Sequence, residues 1–510
     1  MDKSLLFAFV APVIAAIAQS AIFAAEPAAQ PATAPAKSVL FIYVDDLRPE
    51  LSCFGRSKVK TPNIDRMAER GMIFRRNYCQ APVCMPSRVS TMSGKHLNGT
   101  NQGHLRNLLP KGLPSLPELF KRHGYDSISI GKNFHYDNDA PEAWTKRYED
   151  TFGESQYFCE GWCSGYQLPK NRTALMSKRH ADWPVVESAD APESAYPDGI
   201  SADKAVAELQ AHAQTGKPFF LAVGFYRPHL PFVMPKKYWD LYKDEEIDLA
   251  PNPNFPKDAI GRNGWADLVH YGDPIVNDLK STRPNLTPET FPVLPAAKQR
   301  ELIHGYWASV SFMDAQVGRV LDALKKHGLE DKTAIVLVGD NGWQLGEYRL
   351  WSKGCNYEES IRVPLIVTVP GLSPKARKTD ALTESVDIYP TLCDWAGLPI
   401  PQHVEGISLL PLFNDPAQPW KKSAFSVWNN SRSMRTDRYR LTVYDRPAPK
   451  GTLGQLPGSG RYELYDYSTT PTAAVNLAAD PRNKPLLDAL LQQMNAGWRA
   501  AKPPQPEPGK

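Results

Sequence analysis

The segment Cys84-Met85-Pro86-Ser87-Arg88 sets a thiol four residues ahead of a guanidinium, and Ser93-Gly94-Lys95 follows it. A thiol so placed has two ordinary readings. One is a small buried side chain at a loop-to-helix junction; the other is a thiolate nucleophile, its pKa lowered by Arg88 and a helix N-terminus. Neither accounts for the rest of the segment. Asp45-Asp46 and Asp340-Asn341 supply oxygen donors elsewhere in the chain. One such pair alone reads as a helix cap or a solvated strand end. Two pairs closing two parallel strands read as a site for a hard cation. Lys132, His135, His229 and Lys353 read singly as surface or packing residues. Gathered beside a metal, they are the groups that stabilise negative charge on a transferred anion and on a departing alkoxide.

These residues share one local grammar: a buried apolar run followed at once by polar residues. Val39–Val44 precedes Asp45 and Asp46, and Ser127–Ile130 precedes Gly131, Lys132 and His135. Phe219–Phe225 precedes Arg227 and His229, and Ala334–Val338 precedes Asp340 and Asn341. Continuous β-rich runs alternating with helical stretches predict an α/β fold with a large, mostly parallel sheet covered by helices on both faces. Ligands of such sheets bind outside the carboxyl ends of the strands, where all four runs deliver their charged side chains. Thr61-Pro62 reads as an N-cap followed by proline at the first helical position. Leu302, Tyr306, Val310, Met313, Val317, Leu321 and Leu324 recur at helical spacing within 298–326.

Beyond about residue 400 the pattern changes. Phe425–Trp428, Tyr439–Tyr444 and Tyr462–Tyr465 read as antiparallel strands and Lys484–Trp498 as a closing helix. The expected organisation is therefore a catalytic domain over 38–400 and a smaller antiparallel-sheet-plus-helix subdomain over 401–510. The regions 136–200 and 245–295, rich in Pro, Asp, Asn and Gly, read as long loops over the active edge.

The 510 residues are 42% hydrophobic and 22% charged, enough for a large core. A formal charge of +4 from 59 basic and 55 acidic residues is too even to point to nucleic acid or an anionic membrane as the main partner. Residues 1–25 read as a signal peptide: Lys3, an apolar stretch from Leu5 to Ile17, then small residues to Ala25. Residues 26–37, rich in Ala and Pro, read as a linker. The expected product is periplasmic or secreted, with no membrane attachment after signal removal. Of the seven cysteines, Cys159 and Cys163 are the nearest pairing candidates, and the odd count leaves at least one over, taken to be Cys84.

The Cys84–Arg88 core resembles the sulfatase family of the alkaline-phosphatase superfamily, which carries C-x-P-S-R with a T-G pair further on. Cys84, Pro86, Ser87 and Arg88 match, and Ser93 stands in place of the usual threonine. The similarity extends through Asp45-Asp46-Leu47-Arg48-Pro49, Thr61-Pro62-Asn63-Ile64-Asp65, Gly131-Lys132-Asn133-Phe134-His135, Arg227-Pro228-His229-Leu230-Pro231-Phe232 and Gly342-Trp343-Gln344-Leu345-Gly346-Glu347. Taken together these are most similar to iduronate-2-sulfatase-like members. The resemblance implies an alkaline-phosphatase-like fold and a sulfuric ester hydrolase acting on a sulfated carbohydrate, from glycosaminoglycans or algal polysaccharides.

The resemblance also implies that a maturation enzyme, formylglycine-generating or anaerobic, converts Cys84 to Cα-formylglycine. Calcium would be held by Asp45, Asp46, Asp340, Asn341 and residue 84. Arg88 and Lys132 would hold the aldehyde hydrate, His229 aided by Lys353 would protonate the leaving alcohol, and His135 would take the proton that re-forms the aldehyde. Two competing readings are a phosphate or phosphonate monoester hydrolase of the same superfamily and a sulfated-glycan-binding protein without catalysis. Tyr348 stands where those relatives carry histidine, and Cys355 and Asn356 also depart from the pattern. These three are expected on the leaving-group side, and Arg227 is a candidate reader of a substrate carboxylate or second sulfate.

Overall fold

A computed structural model describes residues 37–97, 109, 112–135, 140–148, 165–176, 183–260, 293–372, 377–428, 431–444, 462–468 and 472–503. The signal-peptide and linker expectations, the Cys159–Cys163 pairing and much of the two expected loop regions lie outside them.

Eight strands form the main sheet: β1 (Ser38–Val44), β2 (Met72–Tyr78), β3 (Asp126–Gly131), β4 (Lys146–Arg147), β5 (Phe219–Phe225), β6 (Thr333–Gly339), β7 (Arg362–Thr368) and β8 (Lys378–Glu384). Their order is β8-β2-β7-β6-β1-β5-β3-β4. Only β7 runs antiparallel to its neighbours; β1 lies parallel to both β5 and β6. Every residue of β1 is buried, as a central strand with both faces covered requires. Its two faces feed different cores. Leu40, Ile42 and Val44 pack in the cluster that holds α4 (Ala296–Lys326), the long helix expected from the 298–326 spacing. Val39, Phe41 and Tyr43 pack on the other face, with Val89 and Met92 of α2 (Cys84–Ser93).

Helix α1 (Pro62–Ala68) starts where Thr61-Pro62 predicts it. Thr61 does not cap it; its Oγ1 instead accepts the N–H of Ser52 at 3.1 Å. The stretch read as loop before residue 200 contains Pro169–Met176, the strand Val186–Ala189 and the start of α3 (Pro197–Thr215). The polar, glycine-bearing start of α3 hid its helical pattern.

The second sheet, after residue 400, is antiparallel: β9 (Ala424–Trp428), β10 (Ser431–Arg435), β11 (Tyr439–Tyr444) and β12 (Tyr462–Asp466) in sequential order. Met434, Leu441 and Leu464 on one face meet Leu487, Leu490 and Met494 of α5 (Lys484–Ala501). Strand β10 was not legible in the sequence because its other face, Ser431, Ser433 and Arg435, is polar yet buried. The tip of β9 reaches the loop ahead of Cys84, where the Val427 N–H donates to the Gln80 carbonyl at 2.8 Å.

Candidate active site

Two neighbouring parallel strands set the floor of the site. β1 ends at Val44 and β6 at Gly339, in register, so Asp45-Asp46 and Asp340-Asn341 leave the sheet side by side. The Asp340 N–H donates to Val44 O at 3.1 Å, and the Asp45 N–H to Phe225 O at 3.0 Å. The turn at Asp46 (φ 56°) is left-handed, a conformation that costs a non-glycine residue and persists where surroundings enforce it. Here Asp340 Oδ1 enforces it by accepting the Asp46 N–H at 2.9 Å and the Asn341 N–H at 2.7 Å.

Helix α2 brings in the thiol and the guanidinium. Cys84 is its first residue, and Arg88 follows one turn later on the same face. Arg88 is fully buried between two carboxylates: Nε donates to Asp340 Oδ2 at 2.7 Å and Nη2 to Asp45 Oδ1 at 3.2 Å. Its guanidinium lies over the Tyr43 ring, 4.4 Å from the centroid. The Ser87 hydroxyl donates to the Asp340 carbonyl, so two residues of the Cys84–Arg88 core clamp the end of β6. Carboxylate oxygens of Asp45 and Asp340 and the Cys84 sulfur lie within 4.8 Å of one another.

The cations arrive from three other loops. Lys132 donates to Asp45 Oδ2 at 2.6 Å. It is placed by a close approach of β3 to β5: a Cβ on Gly224 would sit 2.0 Å from the Lys132 carbonyl, so only glycine fits there. Lys353 donates to Asp46 Oδ1 at 2.6 Å, and Asn341 Nδ2 donates to the same oxygen at 2.8 Å. His229 Nε2 lies 3.7 Å from Asp46 Oδ2, and its Nδ1 pairs with the Leu230 carbonyl at 2.6 Å. That pairing leaves Nε2 as the nitrogen facing the carboxylates. His135 is partly buried at the end of the same loop as Lys132.

These contacts shift the groups in different directions. Burial alone would raise Asp45, but Lys132, His229 and Arg88 hold it well below its ordinary range. Burial, with Asp45 and Asp46 adding to it against Arg88, pushes Asp340 up to about 7. Burial and Lys132 push His135 down to about 2, and burial and Lys353 lower His229. The Cys84 thiol is pushed up to about 11, because burial outweighs Lys132 and Lys353. A plain thiolate nucleophile needs the opposite shift, which counts against that reading of Cys84.

The donor set can be tested for a metal. Asp46 Oδ2 and Asn341 Oδ1 are both buried without a hydrogen-bond partner. Native interiors rarely leave such oxygens unpaired, and two together among three carboxylates fit a hard cation with oxygen ligands.

Some expected positions lie elsewhere. Tyr348 is fully buried: its ring lies tilted against Tyr357 with centroids 4.6 Å apart, and its hydroxyl accepts the Ala473 N–H at 2.9 Å. Cys355 Sγ lies 3.1 Å from Ser360 Oγ, and Asn356 Nδ2 donates to Ser431 Oγ at 2.7 Å, both buried. Arg227 is 2% exposed and donates from Nη1 to the His229 and Pro231 carbonyls, so it shapes its own loop instead of presenting its guanidinium to a ligand. Arg48 binds Glu347 Oε1 at 2.9 Å and the Trp343 carbonyl at 3.1 Å, which ties the segment after β1 to the one after β6.

The sulfatase family profile matches residues 37–398, the span that contains every residue of this cluster. The chain belongs to the sulfatase family. A second profile, N-sulphoglucosamine sulphohydrolase, C-terminal, matches residues 346–499. This sulfatase is 32% identical to mouse iduronate 2-sulfatase, over 92% of its own length and 95% of that protein. It is also 32% identical to a sulfatase of Formosa agariphila, over 91% and 88% of the two chains. Its fold is that of a protein solved in complex with its substrate D-glucosamine-2-N,6-O-disulfate (TM-score 0.67, 19% identity, 93% of this chain and 100% of that one). It is equally that of the phosphonate monoester hydrolase of Agrobacterium radiobacter (TM-score 0.66, 21% identity, 91% and 95%). The sulfatase is thus a sulfuric ester hydrolase of alkaline-phosphatase-like fold, which removes the non-catalytic binding-protein reading. No helix among the described residues is long and apolar enough to cross a membrane.

Proposed function

We propose that this sulfatase removes sulfate from a sulfated carbohydrate of the iduronate 2-sulfate kind. In this reading Cys84 is converted to Cα-formylglycine by a maturation enzyme, and calcium sits among Asp45, Asp46, Asp340, Asn341 and residue 84. The observation that carries the reading is the pair of buried oxygens without a hydrogen bond, Asp46 Oδ2 and Asn341 Oδ1, on residues tied to Asp340 beside the Asp45–Cys84–Asp340 cluster. Similarity to iduronate 2-sulfatase over nearly the whole chain supports the substrate class. The catalytic region is 38–400 and the C-terminal subdomain 401–510; the mature protein is periplasmic or secreted.

Formylglycine supplies a hydrated aldehyde whose hydroxyl is the nucleophile, and bound calcium supplies positive charge that acidifies it and neutralises sulfate oxygens. Arg88 and Lys132 offset the charge that the residue-84 side chain gains, while their own partners Asp45 and Asp340 keep them from swinging away. His229 presents Nε2 to the departing alcohol; its doubly protonated ring is the form that gives the proton, and burial and Lys353, by lowering its pKa, ease that transfer. His135, held neutral by burial and Lys132, accepts the proton released as sulfate leaves.

The test combines mass spectrometry of the peptide containing residue 84 with a substrate panel. Formylglycine in active protein and faster release of sulfate from a 2-O-sulfated iduronate disaccharide than of phenol from phenyl phosphonate are expected. Unmodified cysteine in fully active protein overturns the nucleophile. Preference for the phosphonate ester, the substrate type named for one structural neighbour, overturns the substrate class.

A further inference from the structure

We propose that Asp198 is a positioning residue for the leaving-group step, setting His229 through the backbone of the loop that carries it. Asp198 lies in the first turn of α3 and is 1% exposed. Its two oxygens are used on consecutive backbone donors: Oδ1 accepts the Tyr226 N–H at 2.7 Å and Oδ2 the Arg227 N–H at 2.9 Å. These are the first two residues beyond β5, three and two positions before His229. The loop is then closed on itself. The His229 N–H donates to the Tyr226 carbonyl at 2.8 Å, and Arg227 Nη1 donates to the carbonyls of His229 and Pro231.

Asp198 thus holds the start of the loop and Arg227 closes it on itself; burial pushes the Asp198 carboxyl up to about 6, and the Arg227 charge acts against that rise. A carboxylate is suited to the place because it has acceptors only. An amide would turn an N–H₂ group toward one of the two N–H donors and push that donor away. The cost of ordering this segment is met at Asp198, so that His229 arrives at Asp46 already oriented, and near-ångström misplacement of such a group is expensive in rate.

The inference rests on His229 being the leaving-group acid, so its test reads leaving-group dependence. Sulfate release is measured from 4-nitrophenyl sulfate, whose leaving group needs little protonation, and from a 2-O-sulfated iduronate disaccharide, whose leaving group needs it. Asp198→Asn is expected to lower kcat on the sugar ester by about 10–100-fold with KM nearly unchanged, and to lower it several-fold less on the aryl ester. Folded, mature enzyme is counted separately, by circular dichroism and by mass spectrometry of the peptide containing residue 84. Added to His229→Ala, Asp198→Asn is expected to cost little more on the sugar ester, since both act through one group. A crystal structure of Asp198→Asn is expected to show the His229 ring displaced from Asp46. Equal losses on the two esters, full additivity with His229→Ala, or an unmoved His229 ring each overturn the positioning role. If His229→Ala itself shows no leaving-group dependence, the assignment of His229 as the acid falls, and the role of Asp198 with it.

Discussion

Two of the buried charge clusters among the described residues differ in how their oxygens are used. The second lies where β8 ends, close to the C-terminal sheet. There Lys421 donates to Glu384 Oε2 at 2.7 Å and to Asp387 Oδ1 and Oδ2 at 2.7 and 2.8 Å. Glu384 Oε1 accepts from Gln80 Nε2 and the Phe425 N–H, both at 2.9 Å, and Asp387 accepts the Ile407 and Glu384 N–H groups at 2.9 Å each. Every carboxylate oxygen of that cluster has a partner. In the site at the ends of β1 and β6, Asp46 sits in a left-handed turn, and its Oδ2 and Asn341 Oδ1 have none. Full pairing of its carboxylates marks the second cluster as structural; the first joins two buried unpaired oxygens, three carboxylates and a left-handed turn at one place, a combination that fits a ligand site.

The largest effect should come from the nucleophile. Cys84→Ala is expected to cut sulfate release by a factor on the order of 10⁴ or more with little change in Tm, and parallel activity and melting measurements check it. Next, the two clusters should separate by which property they control. Asp46→Asn is expected to lower kcat on the order of 10²–10³, while leaving metal-free stability nearly unchanged, because relief of repulsion among Asp45, Asp46 and Asp340 offsets the weakened Lys353 pair. Glu384→Gln is expected to do the reverse, costing about 1–3 kcal/mol of stability by removing one of the two carboxylates that hold Lys421, with kcat per folded molecule nearly kept. Urea unfolding of both variants in chelator, with activity normalised to folded protein, decides this; a destabilised Asp46→Asn would undo the distinction. Calcium sharpens it further. At a free concentration of about 100 Kd it should stabilise the wild type and Glu384→Gln by about 2.7 kcal/mol, and Asp46→Asn far less.

Much of this site was legible in the sequence, for a physical reason. Central parallel strands are continuous apolar runs, so Val39–Val44 and Ala334–Val338 announce both themselves and the polar residues at their carboxyl ends. Asp45, Asp46, Asp340 and Asn341 are therefore placed by strand geometry alone, and the structure brings them together as expected. What stayed hidden works through backbone atoms. Asp198 carries no signal because its partners are N–H groups that every residue possesses. Tyr348 and Arg227 misled for the converse reason: a polar side chain near a motif looks like a ligand reader until its burial and its backbone partners are known. Strand β10 was missed because its polar residues face a buried polar interface, where alternation no longer separates core from solvent.

The smallest effect tests whether the second cluster is purely structural down to its histidine. His96 Nε2 lies 3.3 Å from Glu384, Nδ1 lies 3.6 Å from Glu405, and the ring stacks on Trp498 of α5 at 4.5 Å. Burial and the nearby Lys421 act to lower its pKa, and Glu384 and Glu405 outweigh them, so the folded protein holds the proton more tightly than the unfolded chain. A raised histidine contributes stability that is complete below its unfolded pKa and is lost as pH rises through the folded one. The Tm advantage of wild type over His96→Gln should therefore be greatest at mildly acidic pH and shrink as the pH is raised, by an amount on the order of a degree or two. Activity per folded molecule should not follow the same curve, because this charge is spent on tying α5 to the end of α2 and reaches no group that faces the substrate. A parallel fall of kcat with the lost Tm advantage would join the two clusters into one functional unit.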